Sequence, residues 1–161
     1  MEEKKEKVAF YDMDHTVIQP KGGKTFPDDH TDWEFLLPTK EKMLEFHANG
    51  YKTVLVSNQG GIAYGEETHE GLALKFESIK AAMGIPIDFF YCATRDKNDP
   101  LRKPNPGMAE KAAKLYNIDW ENSIMVGDAS GYEGQFSDSD RKFAENAGIG
   151  TYYDVSEFQK L

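Results

Sequence analysis

The stretch Val8-Ala9-Phe10-Tyr11-Asp12-Met13-Asp14-His15-Thr16 sets the frame for the whole chain. Four apolar residues run straight into two aspartates one residue apart. An unbroken apolar run of this kind predicts a strand of a parallel sheet covered on both faces. In open α/β sheets ligands lie beyond the carboxyl ends of the strands, which is where Asp12 and Asp14 fall. Two carboxylates this close repel unless a cation or a shared proton intervenes, and oxygen ligands suit a hard cation such as Mg²⁺. Aspartates also favour plain turns. This stretch alone leaves both a reactive pair and an Asp-rich turn open.

Outward from it, Val17 and Ile18 lead into Pro20-Lys21-Gly22-Gly23-Lys24-Thr25-Phe26-Pro27. Two short β-prone pieces around a Pro/Gly turn predict a small hairpin whose tip carries Lys21 and Lys24. Gly23-Lys24-Thr25 is not a phosphate-binding P-loop: Ile18 stands where the first glycine belongs and Pro27 where a helix should follow. A helix is expected from Thr39, as N-cap, to the stop at Asn49-Gly50, with Met43, Leu44 and His47 on one face. His47 there reads as a packed or surface residue rather than a ligand.

Tyr51-Lys52-Thr53-Val54-Leu55-Val56-Ser57 predicts a second buried strand. Asn58-Gln59-Gly60-Gly61 after it offers either an anion cradle or an ordinary βα turn. A helical pattern over residues 66–83 and a third strand over 87–92 follow. Arg102-Lys103-Pro104 then precedes a helix over 107–116. A lysine there opposes the helix dipole, which makes sense beside a bound anion and is otherwise a solvated surface lysine. Ser123-Ile124-Met125-Val126-Gly127-Asp128 is a fourth strand ending in aspartate. Ser137-Asp138-Ser139-Asp140 opens a helix reaching about residue 146, and a short edge strand covers 148–153. This alternation calls for a doubly wound α/β sheet.

The 161 residues are the size of one domain, expected to span 1–161. At 39% hydrophobic and 29% charged, the composition is that of a globular protein. The one cysteine, Cys92, excludes disulfides and a cysteine zinc cluster. With a charged start and no apolar run of roughly 18 residues, the chain is expected to be intracellular, without membrane partners: cytoplasmic, or nuclear in a eukaryote. The formal net charge of −9 argues against a broad electrostatic footprint for nucleic acid.

Four strand ends or helix starts thus carry Asp-x-Asp, Ser-Asn, Lys-Pro and Gly-Asp, in that order. The set resembles the haloacid dehalogenase superfamily of phosphatases over nearly the whole chain. That resemblance implies Asp12 as nucleophile, Asp14 as acid and then base, Ser57 on a phosphoryl oxygen and Lys103 against the charge of phosphate and nucleophile. It implies Mg²⁺ held by Asp12, the backbone carbonyl of Asp14, and Asp128. Asp140 is either an acid standing behind those ligands or a helix cap. The room between elements allows a hairpin flap and no large cap domain, which in this superfamily goes with open sites and bulky phosphomonoesters.

Gly22-Gly23-Lys24-Thr25-Phe26-Pro27, Asp32-Trp33, Ser57-Asn58-Gln59-Gly60-Gly61-Ile62, Arg102-Lys103-Pro104-Asn105-Pro106-Gly107-Met108 and Gly127-Asp128-Ala129-Ser130-Gly131 look like the polynucleotide kinase 3′-phosphatase group. The implied substrate is a nucleic acid 3′-phosphate end, as in DNA strand-break repair. Asn58, Gln59, Arg102, Lys21 and Lys24 then become candidate substrate contacts. Ser57 stands where that group has threonine. The alternative is a small-molecule phosphatase similar to those of histidinol phosphate and heptose bisphosphate. These carry a Cys/His zinc loop before Arg-Lys-Pro, whereas residues 93–101 here contain no histidine. A non-catalytic binding module is a remote third alternative.

Overall fold

The computed structural model describes residues 4–161. Five parallel strands make the main sheet: β1 (Val8–Tyr11), β4 (Lys52–Asn58), β5 (Asp88–Cys92), β6 (Ile124–Gly127) and β7 (Thr151–Asp154), in the order β5-β4-β1-β6-β7. The pleat sends alternate side chains to opposite faces. Ala9, Tyr11, Leu55, Ile124 and Val126 join one core layer, with Leu72, Ile79 and Met83 of α2 (His69–Met83) and Met43 of α1 (Leu37–Ala48). Val8, Phe10, Val54, Val56 and Met125 join the other, with Met108, Ala109 and Ala112 of α3 (Gly107–Ala113) and Phe143 and Ala144 of α4 (Ser139–Ala147). The predicted doubly wound sheet is present, with β1 at its centre.

The chain runs from β1 to one edge and then restarts on the other side at β6. The crevice between β1 and β6 is therefore a topological switch point, where such sheets place ligands. Asp12 follows β1 and Asp128 follows β6.

Several local expectations change. The hairpin is wider than the sequence suggested: β2 (Ile18–Gln19) pairs antiparallel with β3 (Glu34–Phe35), not with the Thr25-Phe26 piece. The intervening loop is tied by the Asp32 carboxylate, which accepts from the backbone N–H of Lys21 (3.0 Å) and Asp28 (2.8 Å). Helix α1 starts earlier than predicted, because Pro38 in its first turn has a φ already suited to a helix. Thr39 is consequently not the cap; it is buried and its hydroxyl accepts from Gln159 Nε2 at 3.0 Å. Helix α2 begins at His69, where Thr68 caps Gly71 N–H at 3.0 Å, and the residues ahead of it form a 3₁₀ turn. Unforeseen is α5 (Val155–Phe158), opened by a reciprocal capping box between Asp154 and Glu157. It drives Phe158 into the core against Tyr11, Phe46 and Tyr153. No helix among the described residues is long and apolar enough to cross a membrane.

Candidate active site

Three carboxylates and one ammonium meet at the switch point. Lys103, just ahead of α3, is 4% exposed, and its Nζ donates to Asp12 Oδ1 at 2.8 Å and Asp140 Oδ1 at 2.7 Å. Asp128 completes the group: oxygens of Asp12, Asp128 and Asp140 all lie within 4.8 Å of one another. The second oxygen of Asp12 accepts from Thr16 Oγ1 at 3.0 Å, and that of Asp140 from the backbone N–H of Ala129 at 3.0 Å. Gly127 is required here, because a Cβ at that position would overlap the Asp140 carboxylate.

Burial pushes the Asp12 carboxyl up to about 7 even with Lys103 beside it, and the Asp140 carboxyl up to about 6. Burial raises Asp128 as well. It also draws the Lys103 ammonium down, but Asp12 and Asp140 outweigh that and hold the lysine above its ordinary range. Once all three carboxylates have ionised, the one ammonium leaves two negative charges in excess. The chemistry of the donor set, hard oxygens only with surplus negative charge, fits a hard divalent cation.

A second group stands at the carboxyl end of β4, the neighbour of β1. Gln59 Nε2 donates to Asp14 Oδ2 at 2.8 Å and to Ser57 Oγ at 2.6 Å. Since Ser57 Oγ accepts this bond, its own O–H is left to donate elsewhere. Asp14 lies outside the three-carboxylate group, and His15 after it has a left-handed backbone, with φ +62°.

The structure thus brings together Asp12, Lys103 and Asp128, with Asp140, and sets Asp14, Ser57 and Gln59 alongside. Of the remaining expected substrate contacts, Asn58, Lys24 and Arg102 have partners within the protein. Asn58 spends its amide on the backbone of Lys103, accepting from its N–H at 2.9 Å and donating to its carbonyl at 3.2 Å. It holds the lysine's backbone in place. The Lys24 ammonium lies 2.7 Å from both Asp28 and Asp32. Arg102 donates to the Thr94 carbonyl at 3.0 Å, and Lys21 is exposed. Asp140 is no cap: it follows the first residue of α4, and its carboxylate points to Lys103. Two residues escaped the sequence: Thr16, and Lys75 of α2, whose Nζ lies 3.7 Å from Asp14 Oδ1.

The family model described as polynucleotide kinase 3 phosphatase matches residues 7–158. The chain belongs to this family. It is a hydrolase of the haloacid dehalogenase type. The family member is 37% identical to an uncharacterized 20.8 kDa protein of Autographa californica nuclear polyhedrosis virus, with 98% of this chain and 88% of that one covered. It is 34% identical to the bifunctional polynucleotide phosphatase/kinase of Schizosaccharomyces pombe, covering 91% of this chain but only 36% of that protein. Among solved structures it resembles the D,D-heptose 1.7-bisphosphate phosphatase from B. bronchiseptica complexed with magnesium and phosphate. The TM-score there is 0.71 at 26% identity, over 90% of this chain and 78% of that one.

Proposed function

We propose that this protein hydrolyses phosphomonoesters through an aspartyl phosphate on Asp12, with Mg²⁺ as cofactor and nucleic acid 3′-phosphate ends as substrate. The observation that carries the chemistry is the doubly held Asp12: Lys103 on one oxygen and Thr16 on the other fix a single carboxylate at the end of β1. The family match supports the polynucleotide substrate.

An oxygen of Asp12 attacks phosphorus, forming the acyl phosphate as the bond to the leaving oxygen breaks. Asp14 gives its proton to that oxygen, then takes one from the water that attacks the acyl phosphate and releases inorganic phosphate. The Ser57 hydroxyl donates to a phosphoryl oxygen, and Lys103 offsets the charge building on the equatorial oxygens. Asp12, Asp128 and Asp140 have the side chains to hold Mg²⁺ at this position. When bound, the ion supplies further neutralisation of phosphoryl charge and favours the ionised form of Asp12.

The test compares kcat/KM on a 3′-phosphorylated oligonucleotide with that on a panel of sugar and amino-alcohol phosphates, with Asp12→Asn as the inactive control. A preference for the oligonucleotide is expected. A preference of about tenfold for the small phosphates, or about 1.4 kcal/mol of transition-state binding, would transfer the protein to the heptose-bisphosphate type. Undiminished turnover in Asp12→Asn would remove the covalent route.

A further inference from the structure

Helix α2 buries Leu72, Lys75, Ile79 and Met83, spaced three to four residues apart along one face. Lys75 is the charged member of this stripe and is 5% exposed. An ammonium sunk among apolar neighbours is costly unless paired. Its ion-pair partner is Asp14, whose Oδ1 lies 3.7 Å from Nζ while the aspartate side chain stays 42% exposed. Glu67, half-buried, is the other carboxyl in range; burial and then Asp14 raise it while Lys75 opposes them.

The two oxygens of Asp14 are therefore held from two separate elements. Gln59, at the end of β4, takes Oδ2; it is itself buried and pinned by its backbone N–H to the Cys92 carbonyl at 2.7 Å. The Lys75 ammonium, from α2, stands beside Oδ1 as an ion pair, too far for a hydrogen bond. The terminal torsion of an aspartate is soft and nearly two-fold, so the single hydrogen bond from Gln59 leaves the carboxyl plane free to swing, and the Lys75 charge beside the other oxygen opposes that swing. We propose that Lys75 is a positioning residue: together with Gln59 it sets the plane of the Asp14 carboxyl that hands its proton to the leaving oxygen. The proposal rests on Asp14 being the acid. Misalignment of a proton donor matters most when the leaving oxygen cannot depart as a stable anion.

The test is Lys75→Met in the full chain with Mg²⁺ present. Methionine keeps an unbranched stem of similar length and suits a buried helix face. The readout is kcat/KM on an alkyl phosphate, whose leaving oxygen needs the proton, against p-nitrophenyl phosphate, whose leaving group does not. A loss of about tenfold or more on the alkyl ester is expected, against about threefold or less on the aryl ester. In an Asp14→Asn background, Lys75→Met is expected to cost no more than about twofold on either. Lys75→Gln, which keeps a polar head on the stem but removes the charge, gives the same contrast and serves if the methionine variant melts early. Equal losses on both esters, no loss on either, or a loss persisting in the Asp14→Asn background would overturn the proposal. If Asp14→Asn itself failed to discriminate the two esters, the acid assignment would fall and take this proposal with it. A discriminating Asp14→Asn beside a non-discriminating Lys75→Met overturns the role of Lys75 alone.

Discussion

Removing divalent cations and raising the pH should destabilise this protein over a range where carboxylates ordinarily do the reverse. Burial lifts Asp140 from the ordinary 3.8 to about 6 and Asp12 from 3.8 to about 7. The folded chain thus keeps two protons that the unfolded chain has already released near pH 4. Stability falls with pH wherever the native state binds more protons, so the loss spreads from about pH 4 to about pH 7. At about 1.4 kcal/mol per unit, Asp140 alone accounts for about 3 kcal/mol, and Asp12 adds to it.

A divalent cation competes with those same protons. Its stabilisation should therefore be smallest near about pH 5, and grow as the carboxylates ionise. A cation at about a hundred times its dissociation constant adds about 2.7 kcal/mol, or roughly 5–10 °C in a chain of this length. The assay is thermal melting by circular dichroism in EDTA and in MgCl₂, at about one-unit steps from about pH 5 to about pH 8. The metal-free Tm should fall across this series, and the gap between the two curves should widen. A metal-free Tm that climbs from about pH 5 to about pH 7, or a magnesium shift that is equal at both ends, would refute the assignment of buried, proton-retaining carboxylates to a cation site.

Two substitutions test the scaffold behind the site. Gly127→Ala forces a methyl group into the Asp140 carboxylate, so urea unfolding should show a loss of about 1–3 kcal/mol, and the magnesium-dependent rise in Tm should shrink. Phe158→Ala empties the space between Tyr11, Phe46 and Tyr153. It should cost about 3–5 kcal/mol by the same measurement, which would establish α5 as part of the core instead of a loose end.

The fold was legible because its strongest signals are local. Apolar runs ending in polar turns marked β1, β4, β5 and β6, and helical spacing marked the connections. Where the sequence misled, two local signals competed. Thr39 has the chemistry of a cap, yet Pro38 one position earlier starts the helix first. Thr25 and Phe26 have the residue types of a strand, yet Pro27 and the Asp32 carboxylate divert the backbone around them. Helix α5 was missed for its length, although Asp154-Val155-Ser156-Glu157 carried a capping box in plain view.

The site divides in the same way. Asp12, Ser57 and Asp128 stand at strand ends and could be picked out one at a time, but Lys103 is joined to Asp12 across 91 residues and to Asp140 across 37. Spacing along the chain carries no signal for such contacts. Asp140 could be read from its position as a helix cap or as an acid behind the metal ligands, and the missing Cβ at Gly127 is what lets it reach inward. Asn58 followed a strand end as substrate contacts do, yet its amide is turned back on Lys103. Lys75 did leave a trace. It sits three residues after Leu72 and four before Ile79, on positions that an amphipathic helix fills with apolar residues. A lone charge on such a stripe demands a buried counter-charge from another element. Here the crevice supplies it as Asp14, the carboxylate whose orientation the chemistry needs.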